Sequence, residues 1–344
     1  MLQIEAKYIR QVELSSQLED LYPMLQNAIE LEHSTIPPYL TALFSIRPGT
    51  STEARKIVHS IVIEEMMHMT IAANILNAIG GKPQINNPRF VPVYPGPLPM
   101  GIAQGLIVGL EKYSLDVVKK VFMEIEEPEN PLVLKSVEAP TYATIGQFYL
   151  AIQKKIEEIA PYDLPGNKAF QVTSSFFDSA LLFPIYTKTD AINAIDIIVE
   201  QGEGTSISPV DQDGEIAHYY RFEELVRQRK LIQDDHAPHG YSFTGEPIVY
   251  NPADVNPMYP NTKINMLQPG TEEWYNLAHF NKSYFSLLSG LHKTFNGEPA
   301  ELNNTIGIMY DLKLIAEKLG ATPFPGRAGY TIGPSFEFNG QLPV

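Results

Sequence analysis

Apolar positions recur at steps of three and four through much of this chain. The longest such run is Ile61 to Ile79, IVIEEMMHMTIAANILNAI. Ile61, Glu65, His68, Ala72, Ile75 and Ile79 share one face of an α-helix. That face is apolar except for Glu65 and His68. A carboxylate and an imidazole one turn apart, both facing a core, are costly unless something compensates them. A metal ion would, and Glu-x-x-His on a helix is how carboxylate-bridged dimetal bundles present two ligands to one site.

A second stripe begins near Leu21 and runs through Leu25, Ala28, Glu32, Ile36, Leu40 and Leu43, with Glu32 as its misfit. Pro37 and Pro38 fall inside it. Each lacks an N–H and crowds the carbonyl four residues back, so a kink or bulge is expected just after Glu32, with a break into two helices as the alternative. Arg47-Pro48-Gly49-Thr50 predicts a tight turn, and Ser51 or Thr52 the cap of the next helix. The two helices then form an antiparallel hairpin. Glu32 and Glu65, nearly equidistant from the turn, come to the same level. Gly80-Gly81 closes the second helix.

Residues 82–101 are proline-rich and predict an extended surface segment, 103–125 a short helix or two, and Glu126-Glu127-Pro128-Glu129-Asn130-Pro131 a loop. Together they make a crossover to a second hairpin. The helices that follow are expected at Thr141 to Ile159, Thr189 to about Gln201 and Glu215 to about Lys230, the last two joined by the 204–214 loop. The last carries Glu215, His218, Phe222 and Leu225 on its stripe, a second Glu-x-x-His on a buried side. Residues 234–270 predict a long ordered loop, and Trp274 to Leu291 and Ala300 to Leu319 two closing helices. The expected fold class is all-α: an antiparallel four-helix bundle with additional helices and long irregular loops. The bundle is placed in residues 1–235, with residues 236–344 a loop-and-helix extension packed on it.

Composition narrows the chemistry. The 344 residues are 44% hydrophobic and 19% charged, enough for a sizeable core. The formal net charge of −15 argues against nucleic acid as a partner. There is no cysteine, which excludes disulfides, thiolate zinc sites, iron–sulfur clusters, thiolate-ligated haem and cysteine nucleophiles. The first twenty residues lack an apolar core and a small-residue cleavage site, and every long apolar run is interrupted by charge or glycine. A cytoplasmic protein without a signal peptide or membrane span is therefore expected, and assembly into a homo-oligomer stays open. No nucleophile elbow, phosphate-binding loop or dinucleotide fingerprint is present.

The chain contains three Glu-x-x-His matches: Glu65/His68, Glu215/His218 and Glu30/His33. The third sits off the stripe that carries Glu32 and is set aside. The other two pairs, with Glu32 at matching depth, point to a site for two metal ions held by Glu32, Glu65, His68, Glu215 and His218. By hairpin logic a sixth ligand falls on Glu200, Glu203 or both. Carboxylate-plus-imidazole sets suit Fe first, with Mn or Zn as alternatives. Tyr39 and Tyr219 fall near the expected site, as packing residues or as catalytic phenols, and a small-molecule substrate is the expected partner.

ELEHSTIPPYLTALFSI, VIEEMMHMTIAANILNAIGGKP, VEQGEGT, EIAHYYRFEEL and FNGEPAELNNTIGIMYDLKLIA together resemble the ferritin-like domain named for iminophenyl-pyruvate dimer synthases. Glu32 followed seven residues later by Tyr39 is also similar to the first helix of bacterioferritin and rubrerythrin. The resemblance implies a ferritin-like bundle with a dimetal site at the residues above. It further implies an oxidoreductase of specialised metabolism acting on a small amino-acid-derived substrate. In that family an acidic residue often stands where this chain has Gln147. Metal handling or peroxide scavenging, or a metal-free partner of a biosynthetic enzyme, are the competing expectations.

Overall fold

The computed structural model describes residues 5–101, 105–128, 144–203, 208–211, 214–237 and 239–338. Its centre is the hairpin of α2 (Tyr22–Ser45) and α3 (Thr52–Ala78). Both helices are apolar on nearly every side, the pattern of helices that are covered all round. The covers come from two directions. α9 (Glu272–Phe295) and α10 (Leu302–Ala321) pair with each other and lie on one face of the hairpin. α6 (Ile145–Ile159), α7 (Lys188–Glu203) and α8 (His218–Arg227) lie on the other. α1 (Ala6–Glu13) packs against α6. The architecture is all-α, the sheet being reduced to the short ladder of β1 (Ile232–Gln233) with β2 (Tyr241–Ser242) and a few isolated bridges among the described residues. No helix among those residues is long and apolar enough to cross a membrane.

The alternative of a break into two helices does not occur: α2 is continuous through Pro37 and Pro38. Pro38 leaves the Ser34 carbonyl without its helical donor, and the buried Tyr94 hydroxyl donates to it at 2.7 Å. Thr41 Oγ1 donates to the Pro37 carbonyl at 2.8 Å within the same turn. A residue from the proline-rich segment thus repairs the helix it crosses. That segment is not merely surface either, since Phe90, Val91, Leu98 and Met100 are also buried.

Two other expectations shift. Ser51 precedes α3 in a left-handed conformation, but its hydroxyl does not cap the helix; it donates to Asp254 Oδ2 at 2.7 Å. Within the expected helix from Thr141, residues 141–143 lie outside the described ones. α6 begins at Ile145, with Thr144 as N-cap and Gln147 closing a capping box. Gln147 therefore serves the helix end.

The crossover contains an element that matters for the site. α4 (Leu115–Val117), capped by the Ser114 hydroxyl, runs through a π turn (Val118–Phe122) into α5 (Met123–Ile125). Val118, Phe122 and Ile125 are buried, and Glu126 follows at the helix end, its N–H donating to the Phe122 carbonyl at 3.0 Å. Wide turns of this kind are frequent at functional sites because they re-aim the residues that follow.

Candidate metal centre

Two groups of buried side chains converge between α2, α3, α5 and α8: Glu32, Glu65 and His68, and Glu65, Glu126 and His218. Within each group one ligand atom per residue lies within 4.8 Å of the others. Glu65 belongs to both. All five residues are at most 8% exposed. Glu32 and Glu65 meet because the α2–α3 turn places them level. The Glu-x-x-His spacing then brings His68 one turn along from Glu65 on the same face.

Each of these groups is held by a neighbour. Tyr149 on α6 donates to Glu32 Oε1 at 2.5 Å, and Tyr39 on α2 donates to Glu126 Oε1 at 2.5 Å. Thr35 Oγ1 donates to Glu65 Oε2 at 2.8 Å. His68 Nε2 lies 2.8 Å from Gln201 Oε1 and His218 Nε2 lies 2.8 Å from Glu64 Oε2. Both partners are acceptors, so each imidazole carries a proton on Nε2 and turns Nδ1 to the centre, where it can take a metal ion or, without metal, a second proton. His68 Nδ1 faces Glu32 Oε2 at 3.7 Å; His218 Nδ1 faces Glu65 Oε1 at 2.8 Å and Glu126 Oε2 at 3.5 Å. The two rings stack at 5.4 Å between centroids.

This arrangement tests whether a cation belongs here. His218 Nδ1 is buried and has no hydrogen-bond partner, although two carboxylate oxygens stand close by. Lone pairs of a neutral imidazole and of carboxylates all aimed at one point repel one another unless a cation lies between them. The donor set is oxygen and imidazole nitrogen, which suits divalent iron, manganese or zinc. The residues fit two metal ions, with Glu65 shared and one histidine for each.

The electrostatics of the metal-free protein agree. Burial first, and the Glu126 charge second, raise the Glu65 carboxyl to about 7. Burial alone would lower the two histidines, but Glu126, Glu64 and Glu65 hold His218 well above its ordinary value, and Glu32 raises His68. In the absence of metal, protons neutralise the cluster. Burial would also raise Glu64, yet His218 and the Arg221 guanidinium hold it well below the usual carboxylate range. Glu64 therefore stays an anion and fixes the His218 ring. Burial, reinforced by the site carboxylates, keeps Tyr39 and Tyr149 protonated far above neutral pH.

Of the residues singled out from the sequence, Glu32, Glu65, His68 and His218 are brought together. Glu215 is not. It is exposed and precedes α8, which starts only at His218; Ala217 is extended, and Glu215 is held in a turn by Asp211 Oδ1 accepting from its N–H at 2.8 Å. The i,i+3 relation needs both residues on the helix, so the second Glu-x-x-His is not a ligand pair. Glu200 is half-buried on α7 and belongs to neither group; Glu203 is the last residue of that helix, and its side chain lies outside the described residues. Gln201 between them is the residue that reaches His68. Tyr39 touches the site directly, whereas Tyr219 sits in a separate small cluster with Ala217, Tyr220 and Leu231.

Glu126, expected in a loop, ends a helix instead; Val118, Phe122 and Glu126, spaced four apart on one helical stripe, are the signal for it. Tyr149, four residues from Ile145 on the α6 stripe, could have been found the same way. Nothing in the sequence marks Glu64 or Gln201.

The family profile described as ferritin-like matches residues 25–227. The chain belongs to the ferritin-like family. It is similar in fold to a ferritin-like protein from Caulobacter vibrioides of known crystal structure. The two share 22% identity at a TM-score of 0.60, covering 92% of this chain and 97% of that one. Among curated proteins nothing matches.

Proposed function

We propose that this protein is a non-haem dimetal oxidoreductase, with iron the first choice of metal. In this reading Glu32 and His68 would hold one ion and Glu126 and His218 the other, with Glu65, a member of both groups, available to each. Such a pair of ions would supply activation of dioxygen or peroxide. The carrying observation is that two buried imidazoles, each locked by an acceptor on Nε2, turn their Nδ1 atoms toward three carboxylates. The chain's own groups do the rest. Tyr149, Tyr39 and Thr35 orient the carboxylates, and the phenols stay protonated. Burial of all five ligands keeps bulk water from the reacting centre. The substrate we propose is small and amino-acid-derived, as the likeness to the dimer-synthase domain implies.

The test is anaerobic Fe(II) loading followed by reaction with oxygen or peroxide. About two iron equivalents per chain and an optical change on oxidation are expected. Failure to bind any iron, manganese or zinc would remove the reading.

One observation favours the second reading, peroxide scavenging or metal handling without an organic substrate. The free space at the centre is only about 30 Å³. That accommodates one or two water-sized molecules but no amino-acid-sized substrate. It is lined on one side by Ile145 and Gly146 of α6 and Val199 and Gly202 of α7. Rapid peroxide loss by iron-loaded protein alone would favour this second reading. Slow loss, accelerated by an aromatic amino acid or its oxo-acid, would favour the first. A side chain at Gly202, which lines this space and whose Cβ would meet nothing within 4 Å, should obstruct it; Gly202→Phe is expected to slow turnover while leaving metal loading intact.

A further inference from the structure

The hairpin that carries the metal ligands lines a second and larger space on its opposite face. A cavity of about 340 Å³ lies between α2 and α3 on one side and α9 and α10 on the other. That volume is within the range of pockets for organic ligands. Side chains adjacent in sequence to the metal ligands, His33, Met66 and Met69, line it, so the two sites share helices but not faces. Its walls are aliphatic and aromatic, with Leu40, Val62, Leu288 and Ile306 among them.

Two features say what the cavity would take. In a chain of net charge −15, no carboxylate lines it, and all its fully charged lining residues are basic: Arg55, Lys56 and Lys313. Arg55 is engaged by Glu317 and the Ile46 carbonyl. Lys56 and Lys313 are exposed; Lys56 stands 3.9 Å from Glu53, whereas Lys313 has no ion-pair partner among the described residues. The second feature is inside. His33, 4% exposed, contacts the Tyr284 hydroxyl through Nε2 at 2.7 Å, but its Nδ1 is buried and unpartnered. A buried polar atom in an apolar wall is a place for one polar group of a ligand.

We propose that this cavity is a binding site for an amphipathic organic acid: an apolar body, aliphatic or aryl, between the two helix pairs, with its carboxylate at the Lys56–Lys313 mouth. The cavity makes no use of the metal centre, so the proposal stands apart from the oxidoreductase reading.

Purified protein would be titrated by calorimetry with decanoate and with 2-naphthoate, which separate a lipid-like from an aromatic acid. Decanol and decylammonium serve as uncharged and cationic counterparts. Saturable binding of either acid, tighter than that of decanol and decylammonium, is expected. Ile306→Trp should fill the space and weaken binding by roughly tenfold or more, and Lys313→Glu should weaken the acids roughly three- to tenfold while leaving decanol unchanged. Leu291→Phe replaces Ile306→Trp if that variant does not give a native circular dichroism spectrum. No saturable binding of either acid up to about 1 mM, decylammonium binding as tightly as decanoate, or affinity indifferent to the filling variant would each overturn the proposal.

Discussion

Glu126 separates the arrangement in the structure from the one the Glu-x-x-His pattern suggests. It belongs to one ligand group only, Glu32 to the other only, and Glu65 to both. Metal stoichiometry should follow that membership. Glu126→Ala and Glu32→Ala should each lower loading from about two ions per chain to about one, and Glu65→Ala should abolish it. Loss of a mere supporting partner typically costs 10–100-fold in metal affinity. Removal of a ligand should cost more, above roughly 2.8 kcal/mol at 1.4 kcal/mol per decade. The fold should tolerate the change. Glu126→Ala strips the buried Tyr39 hydroxyl of its 2.5 Å acceptor, a loss of about 1–3 kcal/mol. It also removes one of the two carboxylates crowded against Glu65, which offsets part of that loss in the metal-free protein. Glu126→Gln keeps an acceptor for Tyr39 and isolates the charge. Anaerobic Fe(II) titration with elemental analysis reads the loading, and thermal unfolding the stability. Glu215→Ala should load like the parent. If Glu215→Ala loses an ion while Glu126→Ala keeps two, the ligand assignment is wrong.

Three further outcomes are expected. Gln201→Leu removes the acceptor that fixes the His68 tautomer and should weaken metal binding roughly 10–100-fold without unfolding the protein, as measured by chelator competition. Metal-free protein should lose stability as pH rises from about 6.5 to 8, above the range in which the buried neutral His33 acts in the opposite sense. Glu65 and His218 both have folded pKa values above their unfolded ones, so the folded state binds more protons than the unfolded one in that window. Metal loading should flatten the slope and release protons, and a metal-free melting temperature that climbs across the window would contradict the cluster's electrostatics. Finally, Gly166 packs against the end of α3, donating to the Ala78 carbonyl at 2.8 Å, where an added Cβ would collide with the Asn77 and Ala78 carbonyls. Gly166→Ala should cost about 1–3 kcal/mol, read as a lowered melting temperature; an unchanged one would mean that this loop is not tightly docked.

What the sequence determined by itself was local. Period and misfit located the α2–α3 hairpin, because a 3.6-residue repeat and the distance from a turn are properties of one stretch of chain. Glu32, Glu65 and His68 followed from the same arithmetic. His218 was named for an incomplete reason, since its pairing with Glu215 assumed a helix that begins three residues too early. Tertiary structure alone decided the rest. Glu126 arrives from a π turn in the crossover, Tyr94 satisfies the carbonyl that Pro38 leaves free, and Gln201 and Glu64 set the imidazole tautomers. Each of these depends on which distant segment lies against a given helix face. That is settled by packing the whole core, and periodicity within one segment carries no record of it.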